Sequence, residues 1–89
     1  LEGAKFQHAH LEDADLRFAK LIEAEFGWAK MRGSNMGGAI LREADLRYAE
    51  LKGCNLENAI LDKAKVLKKD IKTLHECGAD VSKVIAYDE

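Results

Sequence analysis

Ala44-Asp45-Leu46-Arg47-Tyr48, Ala49-Glu50-Leu51-Lys52-Gly53 and Cys54-Asn55-Leu56 follow one another without a break. Each unit is a small residue, a polar one, a large apolar one and two variable positions. Traced outward, this beat of five covers Ala4 to Lys68 in thirteen units. The large apolar position reads Leu1, Phe6, Leu11, Leu16, Leu21, Phe26, Met31, Met36, Leu41, Leu46, Leu51, Leu56, Leu61 and Val66. Two residues ahead of each, from Phe6 onward, stands Ala, replaced only by Ser34 and Cys54.

Neither regular element can use such a period. On a helix, five residues advance the face by about 140°, so the apolar positions wander around the cylinder. On a flat strand an odd period sends successive centres to opposite faces. A chain that turns one corner per unit keeps every centre pointed at a common axis. It forms an all-β solenoid of stacked coils, each burying its neighbour's inner side chains. The longer period is twenty: Phe6 falls over Phe26, Asp15 over Asn35 and Asn55, Ile40 over Ile60, Ser34 over Cys54. Four units therefore make one coil, which predicts a square coil and a little over three turns. Parallel stacking with a crossover per turn favours right-handed winding.

The A-(D/N)-L-x-x units, purest at Ala14-Asp15-Leu16-Arg17-Phe18 and Ala44-Asp45-Leu46-Arg47-Tyr48, resemble the pentapeptide-repeat family. The resemblance covers about three quarters of the chain and implies a right-handed quadrilateral parallel β-helix. The second position departs from Asp/Asn at Lys5, His10, Lys20, Glu25, Lys30, Ile40, Glu50, Ile60 and Lys65. It is expected to face solvent, so these departures leave the fold intact.

From about Lys69 the beat breaks. Ile71, Leu74 and Cys77 recur at helical spacing and Gly78 follows as a stop. The division is thus a repeat domain over 1–68 and a capping segment over 69–89, with a short helix at about 69–77 across the open coil end. Ala79-Asp80-Val81-Ser82-Lys83 fits either a resumed pentapeptide or the start of a second helix.

Charge bounds the partners. Residues 1–68 carry eleven Lys/Arg against eleven Asp/Glu, and the remaining residues supply the net −2. A nucleic-acid binder needs a basic stripe, which is absent. Opposite charges are expected to pair across coils, as Lys5 with Glu25, Glu12 with Arg32, Lys30 with Glu50, Arg42 with Asp62 and Asp45 with Lys65. No apolar run approaches the roughly twenty residues of a membrane span. Two cysteines, with Cys54 in an inward slot, read as free thiols in a reducing compartment, with a cytoplasmic location favoured and a disulfide between them not expected. The chain starts on the beat at Leu1 without Met, which is expected of a piece of something longer.

No constellation for chemistry emerges. His8 and His10 lack further convergent ligands, so neither metal nor cofactor is expected. The carboxylate pairs lack the apolar surroundings of acid–base catalysts, and there is no phosphate-cradling glycine loop. Enzymatic activity is therefore not expected. Two surface features stand out. His8, Trp28 and Tyr48 fall in one column, and Ile40 and Ile60 stack with Ile22 nearby. Both are candidate contact surfaces for a protein partner. Together these features suggest a non-enzymatic scaffold or interaction module, with an uncapped N-terminal coil open to end-to-end self-association. The family resemblance supplies an alternative, since some of its members imitate DNA and protect DNA gyrase from quinolones. The neutral repeat surface disfavours that role here.

Overall fold

The computed structural model describes residues 2–89. Leu1, the expected first centre, lies outside them. A turn closes at each unit from the first described one onward. The N–H of Ala9 donates to the Phe6 carbonyl at 2.9 Å, and the same bond recurs at every corner to Ala64 and Leu61. The last residue of each unit, from Gly3 to Lys63, has φ between 58° and 77°. No other described residue of the repeat region has positive φ. A hydrogen-bonded turn with positive φ only at its third residue is a type II turn. One such turn per unit bends the chain once every five residues.

Between corners the backbone pairs with the coils above and below. Parallel bridges join Lys5 to Glu25, Glu25 to Asp45 and Asp45 to Lys65, and likewise along the other three sides. Each bridge is two backbone bonds, as where Phe6 donates to Glu25 at 2.7 Å and Glu25 donates to Ala4 at 2.8 Å. The register of twenty is therefore carried by the main chain and only read out by the side chains.

Inside the stack lie the centres and the small residues. From Leu21 to Val66 every centre is buried, and Phe6, Leu11 and Leu16 are half-buried. Phe6 and Phe26 stack in adjacent coils with centroids 5.1 Å apart and planes 10° off parallel. Ala24, Ala39, Ala44 and Ala64 are wholly enclosed, which explains why the slot admits so little else. Ser34 departs from this: its side chain is buried in the same slot and its Oγ has no hydrogen-bond partner.

The strand β1 (Lys65–Leu67) opens the last coil. A 3-10 turn at Lys68–Asp70 leads into α1 (Ile71–Glu76), a little shorter than the spacing suggested. Leu74 is enclosed by the core, Cys77 is buried and Ile71 packs against the same cluster. The Leu56 N–H donates to Cys77 at 2.8 Å, two positions further along than the repeat spacing puts it. The chain then returns to register. Residues 79–83 form a pentapeptide rather than a second helix, with the Ser82 N–H donating to Asp80 Oδ1 at 3.0 Å. The strand β2 (Ile85–Tyr87) pairs parallel with β1, Lys65 opposite Ile85.

Two substitutions separate the corner constraint from the core. Gly53 has φ +77° and open space where a Cβ would stand, with nothing nearer than 3.9 Å. Gly53→Ala should therefore cost about 1 kcal/mol through the left-handed backbone alone. Ser34→Ala should stabilise by a similar ~1 kcal/mol, because it deletes an unpartnered buried hydroxyl from a slot otherwise given to Ala. Urea denaturation of both variants checks the signs. A Gly53→Ala protein as stable as wild type would show that the corner is not rigidly left-handed.

Candidate functional site

The last position of each unit is the outward one: every residue there is exposed except Gly38, which is half-buried. The type II turn explains this, because it projects its third residue away from the coil. Large side chains placed there cannot be buried, and four are aromatic: His8, Phe18, Trp28 and Tyr48. Trp28 and Tyr48 stand in adjacent coils with ring centroids 4.7 Å apart and planes 12° off parallel. They remain 57% and 39% exposed. His8 continues the column, its backbone N–H bonded to the Gly27 carbonyl at 3.0 Å.

The aliphatic residues are placed differently. Ile40 and Ile60 are bridge partners, and both are half-buried. Ile22 is also half-buried but occupies a different unit position, next to the centre Leu21. Phe18, absent from the expected surface, is the most exposed large apolar residue among the described residues, at 75%. Its ring lies over Gly38, where a Cβ would come within 2.6 Å of ring atoms. Its column, Phe18-Gly38-Asn58, does not look like a ladder, which is why sequence columns passed over it.

A further aromatic contact ties the C-terminal strand to this surface. The Arg47 guanidinium sits 4.7 Å from the centroid of the Tyr87 ring. Register places Leu67 between them in the column, and Leu67 is only 1% exposed. A cation over an aromatic face here also covers a buried leucine.

Charges pair within corners and, toward the C-terminal segment, between coils, as Lys68 with Asp88 at 3.2 Å, Lys69 with Glu89 at 3.3 Å and Lys83 with Asp62 at 3.9 Å. Asp15 accepts from the Arg17 backbone N–H at 3.1 Å and from its Nε and Nη2 at 2.9 Å each. Asp45 and Arg47 repeat the arrangement. Asn35 and Asn55 accept the backbone N–H two residues on, and Asn55 Nδ2 donates to Asn35 Oδ1 at 3.1 Å. Among the described residues none of the five expected cross-coil pairs closes as an ion pair; Arg32 reaches Glu50 instead, at 3.9 Å. A carboxylate two residues before an Arg meets both its backbone and its fork, and this bidentate geometry outcompetes a lone Lys one coil away. Among the described residues, no group of His, Cys, Asp and Glu converges as a metal site. Among the described residues no helix is long and apolar enough to cross a membrane.

The side-chain hydrogen bonds of Arg17 hold Asp15 at about 2, from an ordinary 3.8, and those of Arg47 lower Asp45. A carboxylate with a depressed value in the folded state stabilises above its unfolded value, and that contribution is lost as pH falls through the folded value. The melting temperature should therefore fall as pH drops from about 4 to about 2. Asp15→Asn with Asp45→Asn retains the amide acceptor seen at Asn35 and should shallow that fall. An unchanged acid limb, followed by circular dichroism, would show that other groups govern it.

The model for Pentapeptide repeats matches residues 1–38 and 39–67, in eight copies. Among solved structures, a pentapeptide repeat protein from Nostoc Pcc 7120 is 24% identical, with 93% of this chain covering 84% of that one at a TM-score of 0.53. A pentapeptide repeat protein from the Arabidopsis thaliana thylakoid lumen is 32% identical, with 74% of this chain covering 52% of that one at a TM-score of 0.37. No curated protein matches the chain. With its turns, its parallel stack and three quarters of its length matched by the family model, this chain belongs to the pentapeptide repeat family, whose coils form a right-handed β-helix solenoid.

Proposed function

We propose that this chain is a non-enzymatic interaction module whose contact surface is the corner carrying Trp28 and Tyr48, extended by His8. The observation behind it is the stacked, exposed aromatic pair on a backbone that cannot relax around it. Each ring hangs from a hydrogen-bonded corner with positive φ, at 61° and 68°, so little backbone freedom is left to lose on binding. Mixed charge borders the pair, with Gln7 bonded to Glu25 and Arg47 bonded to Asp45 in the columns before it and His10, Lys30 and Glu50 in the bridged column after it. An apolar anchor with a polar rim is the usual anatomy of a protein interface. Ile22, Ile40 and Ile60, half-buried, form the lesser candidate surface.

The scaffold presenting this corner is a square coil closed at its C-terminal end by α1. Four turns between residues paired at a spacing of twenty support the square cross-section. Leu74, enclosed by the core, and Cys77, bonded through its carbonyl to Leu56, support the covering role of the helix. The helix thereby satisfies part of a coil edge and encloses its apolar centre.

The test is a comparison of two double variants in a pull-down from the source cell. Trp28→Ala with Tyr48→Ala should reduce capture of the partner by about 30-fold or more, as loss of a central aromatic anchor does. Its melting temperature should change little, since both rings are exposed. Asp15→Asn with Asp45→Asn should leave capture intact. Capture abolished by the carboxylate pair and indifferent to the aromatic pair would favour an acidic, DNA-like surface instead.

A further inference from the structure

Cys54 and Cys77 come together despite having no shared place in the repeat. Both are buried thiols, 23 residues apart in sequence, with their Sγ atoms 3.3 Å apart. The Cys77 Sγ also lies 3.3 Å from the Leu51 carbonyl oxygen. The backbone on each side is already fixed. The Cys77 N–H donates to Thr73 and Leu74 at the end of α1, its carbonyl accepts the Leu56 N–H, and the Cys54 N–H closes the corner on Leu51. Joining the sulfurs thus needs about 1 Å of approach between two anchored positions.

We propose that Cys54 and Cys77 are a site of reversible oxidation, forming an intrachain disulfide that latches α1 onto the coil beneath it. The oxidant is a low-molecular-weight disulfide such as oxidised glutathione. Cys77 loses its proton and its thiolate attacks one sulfur of that disulfide. A mixed disulfide forms and the first glutathione thiolate departs, taking up a proton. Cys54 then gives up its proton and attacks the Cys77 sulfur, closing the protein disulfide and releasing the second glutathione. Two protein thiols are oxidised and one external disulfide is reduced to two thiols.

Structure sets the order and the pace. Cys77 follows a helix of six residues and is flanked by exposed Glu76 and Gly78, so lifting α1 brings it to solvent first. Cys54 is held inside the coil, where burial and then the hydrogen bond with Cys77 push its thiol well up. It is therefore a poor first nucleophile, but it stands in place to resolve the mixed disulfide. Once closed, the bond removes the opening that admitted the oxidant.

The experiment incubates the full chain with oxidised glutathione a few degrees below its melting temperature, where opening of α1 is fast. Intact mass should fall by two hydrogens with loss of both free thiols, and no adduct should persist. The melting temperature should rise by roughly 10 °C and return on addition of a reductant. Cys54→Ala should accumulate the glutathione adduct at Cys77 without that rise. Four outcomes would overturn the proposal: thiols that stay free, a persistent adduct on the wild-type chain, a disulfide-linked dimer, or an intrachain disulfide that leaves the melting temperature unchanged.

Discussion

One backbone constraint underlies the rest: a left-handed residue at every fifth position, closing a turn between one unit's centre and the next unit's small residue. Nine of these positions are not glycine. A side chain there costs on the order of 1 kcal/mol, and such strain persists only where the surroundings over-determine it. Here up to four bonds per unit do so, one closing the turn and the others to the neighbouring coils. No single coil could hold the conformation, so the strain is sustained by stacking. The position that bears the strain is also the one that points outward. Fold and display are therefore coupled: the exposed rings of Phe18, Trp28 and Tyr48 all stand where the backbone is least comfortable.

The second position has a more active part than a solvent-facing slot implies. Its residues form the bridges between coils, and Asp or Asn there accepts the N–H two residues on at 15, 35, 45, 55 and 80. This local bond pins the corner from the polar side as Leu pins it from the apolar side. Lys, Glu, His or Ile at the same position still bridges but forms no such bond among the described residues. That hierarchy explains how the sequence can vary there without losing the coil. The bridge is backbone and obligatory; the corner bond is side chain and optional.

Legibility followed the same division. The period of five and the register of twenty were plain, because enclosed slots accept few residue types and so repeat them. Type II corners were less visible, because His, Asp, Phe, Glu, Trp, Tyr, Asn and Lys all occupy the left-handed position. The signal was present nonetheless: Gly3, Gly33, Gly38 and Gly53 all fall there. Trp28 and Tyr48 could be found as a column of like residues, whereas Phe18 stands alone above glycine. Cross-coil ion pairs were over-read, since column spacing ignores the acceptor two residues away in the same corner.

The sulfur pair was hidden for a different reason. A helix rises about 1.5 Å per residue and a strand about 3.3 Å, so α1 consumes more sequence than the coil sides it replaces. Leu74 still lands twenty residues beyond Cys54 and fills the core, yet the sulfur that meets Cys54 belongs to Cys77, three residues later. Column arithmetic fails wherever the rise per residue changes, and it recovers at Ile85, where strand geometry resumes. The departure is confined to a segment bounded by β1 and β2. In a stack whose coils contact only their neighbours, what happens at α1 bears first on the coil holding Tyr48, Leu51 and Cys54. The same coil supplies Arg47 to the Tyr87 ring. Helix, sulfur pair and aromatic corner thus all contact one coil, and its integrity links the C-terminal end of the solenoid to the surface it displays.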